Sequence, residues 1–123
     1  MANTENSSKR LKLVLYGWVM LIFAPLALVG IVYPANQYQA IGTEGAVDCD
    51  GPLGVLLFAI PSLIIYVTGL IAFARSVHSR RGVGNICMVV ISASVCFALI
   101  SNSVSAVIEQ NSQSHQESCG LGL

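Results

Sequence analysis

Three stretches of this chain, residues 13–33, 53–74 and 84–108, contain no Asp, Glu, Lys, Arg or His. Each is 21 to 25 residues long, and an α-helix needs only about 20 residues to cross the roughly 30 Å hydrocarbon core of a bilayer. Helices that are apolar on every side must be buried on every side, which a chain of 123 residues cannot do three times over in water. Membrane strands are excluded too, because they need about ten-residue segments alternating polar and apolar positions. Composition agrees: 10% of the residues are charged, against about 25% in a typical soluble domain.

The charges between these stretches set the expected orientation. All six Lys and Arg residues fall in two segments, Lys9, Arg10 and Lys12 before the first stretch and Arg75, Arg80 and Arg81 between the second and third. Only Glu5 among the acids accompanies them, whereas Glu44, Asp48, Asp50, Glu109 and Glu117 occupy the other two polar segments. Cationic segments next to membrane spans stay on the cytoplasmic side, so these six residues act as topology anchors. The expected fold is an all-α membrane protein with three transmembrane helices in an antiparallel up-down-up bundle, N-terminus in and C-terminus out. Its segments are a cytoplasmic tail (1–12), a first span (13–33), an outer loop (34–52), a second span (53–74), a cytoplasmic loop (75–83), a third span (84–108) and an outer tail (109–123). The 21-residue first stretch exceeds a signal-peptide core and ends in Val32-Tyr33-Pro34-Ala35 rather than at a small-residue cleavage site, so it reads as an uncleaved span.

Local sequence adds detail. The polar residues 1–10 predict a disordered tail. Pro25 removes the donor that would bond the Leu21 carbonyl and predicts a bend in the first span; Pro61 does the same to Leu57 and predicts a kink in the second. Pro52 suits the first turn of the second helix. The outer loop shows no strong periodicity and reads as irregular. On the third span Ser94, Ala98, Asn102 and Ala106 recur every fourth residue, with Ser101 and Ser105 beside them. Small residues let helices approach and Ser or Asn can bond across, so this stripe is expected to be a packing or partner face.

Four cysteines fall into two classes. Cys87 and Cys96 lie inside the third span and read as small apolar residues. Cys49 and Cys119 lie outside, where the compartment oxidises thiols, and are expected to form a disulfide that ties the tail over the outer loop. The alternative is a zinc or copper ion held by Asp48, Cys49, Asp50, His115 and Cys119, although no zinc-type cysteine pair accompanies them.

The chemistry is defined mainly by exclusion. Proton-coupled carriers and voltage sensors place ionisable groups at membrane depth, and none stands in the three spans. No nucleophile–base arrangement, phosphate-binding loop or cofactor motif is present, and no basic surface suits nucleic acid. The expectation is a small non-enzymatic protein without a cofactor, whose partners are the lipid bilayer and either another membrane protein or a second copy. It would serve as an accessory subunit, modulator or immunity-type protein of a membrane complex. The alternative is a self-assembling channel or carrier with the Ser/Asn stripe lining a pore. The expected location is a cell membrane, bacterial inner membrane by preference, with the C-terminus periplasmic or extracellular.

Overall fold

The computed structural model describes residues 2–43, 48–112, 117 and 119, and among these the chain is helical with no strand. Five helices follow one another: α1 (Ala2–Ile22), α2 (Ala24–Val32), α3 (Gln37–Ala40), α4 (Gly51–Ser79) and α5 (Val83–Gln110). Helices α4 and α5 are each long and apolar enough to cross a membrane. Helices α1 and α2 meet the same test together, as a pair bent by 46°. The number of candidate spans is therefore two, or three if the bent pair is one span.

The bend lies where Pro25 enters α2 in its first turn, with Phe23 at φ −88° and ψ 1° between the two helices. A proline at that position leaves the Leu21 carbonyl without its usual donor, and the axis tilts. Pro61 acts differently: α4 runs unbroken through it from Gly51 to Ser79. Beside it, the Ser62 hydroxyl donates to the Phe58 carbonyl at 2.8 Å, one of the local side-chain bonds by which Ser adjusts a helix near a proline.

Residues 2–10, expected to be disordered, instead extend α1 to Ala2. Glu5 accepts from Lys9 at 2.7 Å one turn on. That hydrogen bond, followed by the charge of Lys9, holds the Glu5 carboxyl below its usual range. The outer loop is less irregular than its composition suggests. It holds the single turn α3, followed by Gly42 in the left-handed region at φ 83°, a conformation that glycine adopts without steric penalty. Asp48 then accepts from the backbone N–H groups of Asp50 and Gly51 at 3.3 and 3.1 Å, satisfying donors at the start of α4, where Pro52 has none to offer.

The core is a narrow seam of small and medium side chains. Val55, Ala59, Ser62, Ser92, Leu99 and Ala106 are completely buried. The most extensive contact is between α4 and α5, and α2 rests across α4 with a smaller contact to α5. At the crossing, a Cβ on Gly30 would lie 3.2 Å from the Ala59 backbone and 3.1 Å from the Leu99 side chain, so any larger residue would push these three helices slightly apart. Large apolar residues cover the outside, including Trp18, Leu57, Ile64 and Phe97, each more than half exposed. Only 28% of the most apolar window of α4 and 17% of that of α5 is buried inside the bundle. Such surfaces match lipid and would drive aggregation in water.

Candidate functional site

Three regions carry chemistry beyond packing: the outer end, the surface of α5, and the basic end.

At the outer end, Asn102 of α5 reaches across the bundle. Its amide nitrogen donates to the Gly30 carbonyl at 2.7 Å and to the Tyr33 carbonyl at 3.0 Å. The reason lies in the sequence of the first span. The donor that would normally bond the Gly30 carbonyl belongs to residue 34, which is proline. Asn102 replaces that missing N–H and accepts the role of a C-terminal cap for α2. Just before the bend, in the last turn of α1, the Met20 carbonyl accepts from the buried Tyr66 hydroxyl at 3.0 Å. Side chains of α4 and α5 thus hold the last turn of α1 and the end of α2.

Above this level the loop and tail converge on the helix ends. Buried Asn36 donates to Glu109 at 3.2 Å, and its carbonyl oxygen accepts from the Tyr38 N–H at 3.1 Å. The Ser112 hydroxyl donates to the Glu109 carbonyl at 2.7 Å. The Ala35 carbonyl presses so close to Gly51 that a Cβ there could not fit. Cys49 and Cys119 stand at disulfide distance with their Cα atoms 5.6 Å apart, linking segments 70 residues apart in sequence. Among the described residues no group of three or more His, Cys, Asp or Glu could hold a metal; His115 of the metal alternative, and Glu44, lie outside them.

The expected stripe on α5 divides between two faces. Ala106 is fully buried, and Asn102 and Ala98 are half-buried. Ser94, Ser101 and Ser105 point outward. The hydroxyls of Ser94 and Ser105 are occupied by their own helix, donating to the Val90 and Ser101 carbonyls at 2.9 and 3.1 Å. The face that α5 turns inward is marked by Ser92, Cys96, Leu99 and Ala106. Cys96 is buried there and Cys87 is exposed. Spacing by fours along a helix drifts about 40° per step, so a four-residue repeat cannot stay on one face for twelve residues.

At the opposite end lie the six Lys and Arg residues expected to act as topology anchors. Helix α4 continues to Ser79 and a link of only residues 80–82 leads into α5. The Asn85 side chain donates to the Ser76 hydroxyl at 3.0 Å and fastens that turn. Two adjoining grooves open here between α1 and the ends of α4 and α5. Lys9, Lys12 and Arg75 line the first, and Arg10, Arg80 and Arg81 the second. Read from the sequence as topology anchors, these residues gave no sign that α1 brings them beside the ends of α4 and α5.

The chain matches no protein-family model, no curated protein and no solved structure.

Proposed function

We propose that the chain is a multi-pass membrane protein that acts by binding another membrane protein, as an accessory subunit, modulator or immunity-type protein. In this reading α1 and α2 together form one bent span, and with α4 and α5 they make an antiparallel up-down-up bundle. Two relations support three spans. The end of α2 bonds to Asn102 near the outer end of α5, while Lys12 and Leu13 line a groove with Arg75 and Ser76 at the far end of α4. The α1–α2 pair therefore covers the same depth as its neighbours. The six basic residues at one end, with Glu5 beside them, and Asp48, Asp50 and Glu109 at the other support the orientation N-in and C-out by the positive-inside rule, in a cell membrane of bacterial inner-membrane type.

The observation that carries the interaction role is the outward ridge of Ser94, Ser101 and Ser105 on α5. It consists of small residues on an otherwise apolar surface, so a partner helix could approach closely; the Ser94 and Ser105 hydroxyls are satisfied internally and that of Ser101 is available to bond across. The disulfide-tied outer end provides a second, polar contact surface beside it. The pore alternative is weakened by Asn102, whose amide is committed to the α2 carbonyls and turned away from the outward ridge. The test is affinity co-purification in mild detergent followed by mass spectrometry, comparing the native chain with a Ser94→Leu, Ser101→Leu, Ser105→Leu variant. A co-purifying membrane protein lost in the variant supports the reading. A stable homo-oligomer with ion conductance supports the pore instead.

A further inference from the structure

The two basic grooves gather every Lys and Arg of the chain, six in all, at one end of the bundle. The grooves share Leu13 and Ser76, so they adjoin along a single ridge. The only acid in segments 1–12 and 75–83 is Glu5, and it engages Lys9. No acidic side chain in these segments offsets the other five cations. All six side chains are exposed, so an anion at this end of the bundle meets a concentration of positive charge along the two groove walls.

The first groove does not end at the cations. Lys12 and Tyr16 also line an apolar furrow that continues toward the membrane centre between α1 and α4, walled by Leu15, Val19 and Ile65. The groove encloses about 470 Å³ and the furrow about 410 Å³, each within the range of small-molecule sites, roughly 300–1,000 Å³. A cationic mouth joined to an apolar trough along a helix is complementary to an amphiphile with an anionic head. Helix α1 makes this possible because it continues as a helix to Ala2 rather than dissolving into a tail, carrying Lys9, Lys12 and Tyr16 at spacings of three and four on one face.

We propose that this groove and furrow form a binding site for an anionic glycerophospholipid of the adjacent leaflet. The phosphate lies between Lys12 and Arg75, beside the Ser76 and Ser79 side chains of the groove wall. One acyl chain lies along Val19 and Ile65. The second groove, with Arg10, Arg80 and Arg81, takes a neighbouring phosphate and strengthens the local field. The site requires only that this end of the bundle lie at a membrane surface, so it stands independently of any protein partner.

The test is native mass spectrometry of the purified full chain in mild detergent after exposure to equal amounts of phosphatidylglycerol and phosphatidylcholine. Retention of phosphatidylglycerol is expected, weakened about fivefold for each of Lys12→Gln and Arg75→Gln. Val19→Trp fills the furrow without changing charge and is expected to reduce retention as well, with Leu15→Phe as a second furrow variant should Val19→Trp misassemble. Far-UV circular dichroism verifies that each variant is folded. Equal retention of the two lipids, or full retention by folded furrow variants, overturns the proposal and leaves diffuse attraction to anionic lipid. Displacement by millimolar inorganic phosphate overturns it in favour of a free-phosphate site.

Discussion

Replacing Asn102 by Leu isolates the largest single polar link between helices. The side chain makes two cross-helix bonds, at 2.7 and 3.0 Å, to carbonyls at the end of α2. Interhelical hydrogen bonds in membranes average about 0.6 kcal/mol and reach about 1.7 kcal/mol, so two predict a loss of about 1–3 kcal/mol. The upper half of that range is expected, because Pro34 gives the Gly30 carbonyl no helical donor to fall back on and an orphaned buried acceptor retains its desolvation cost. In equilibrium unfolding by SDS in mixed micelles, followed by far-UV circular dichroism, a loss of about 2 kcal/mol would lower the folded-to-unfolded ratio about thirtyfold. The mechanism makes a sharper demand on a double-mutant cycle. Pro34→Ala restores an N–H and lifts the restriction that proline places on Tyr33, which now ends the helix at φ −65° and ψ 118°. The last turn can then continue to residue 34 and bond Gly30 internally. Asn102→Leu should therefore cost less in the Pro34→Ala background than in the native one. Equal costs in both backgrounds would refute the idea that Asn102 substitutes for the donor that Pro34 lacks.

Glycine substitutions should separate rigid from yielding neighbours: Gly30→Ala meets the Ala59 backbone at 3.2 Å, whereas Gly69→Ala meets the sulfur of Met20, the end of a flexible side chain. The former should destabilise the bundle by about 1–3 kcal/mol in the same unfolding assay and the latter by less; the reverse order would contradict the packing described. Non-reducing digestion and mass spectrometry should recover a peptide pair joining Cys49 to Cys119, with Cys49→Ser exposing the tail to protease while the helices remain inserted; two free thiols after alkylation at lysis would rule the bridge out. Accessibility labelling of single-cysteine variants should place residue 78 on the cytoplasmic side and residues 44 and 115 on the other, and labelling of residue 78 from outside would reverse the orientation.

The helical class and the approximate limits of α4 and α5 were legible because they depend on one-dimensional quantities. A charge-free run of sufficient length in a low-dielectric medium must satisfy its own backbone, and only a helix does so within one segment. Arg75 and Glu109 end the charge-free runs, while the helices themselves continue a few residues further, to Ser79 and Gln110. Pro25 announced the bend between α1 and α2, and Pro52 the first turn of α4, because each acts through its own backbone nitrogen. The same reasoning misplaced residues 2–10: polarity signalled disorder, yet the Glu5 and Lys9 pair, four apart, was a helical signal available in the sequence.

What the sequence alone determined, then, is a set of apolar helices, their breaks and the sign of charge at each end; which faces meet was decided only by tertiary structure. The stripe on α5 shows the distinction. Ser94 and Asn102 are similar candidates when counted along the helix, but one faces outward and the other meets two carbonyls of α2. In a lipid-facing helix apolar residues lie on every side, so hydrophobic periodicity, which reveals the buried face of a soluble helix, carries little information. Contact is decided instead by close approach at Gly30 and Ala59 and by the few polar groups that find partners there. The convergence of six cations on two grooves has the same origin: sequence fixes their sign and their distance from the spans, but only the docking of α1 beside α4 turns separate anchors into one concave, amphiphile-shaped surface.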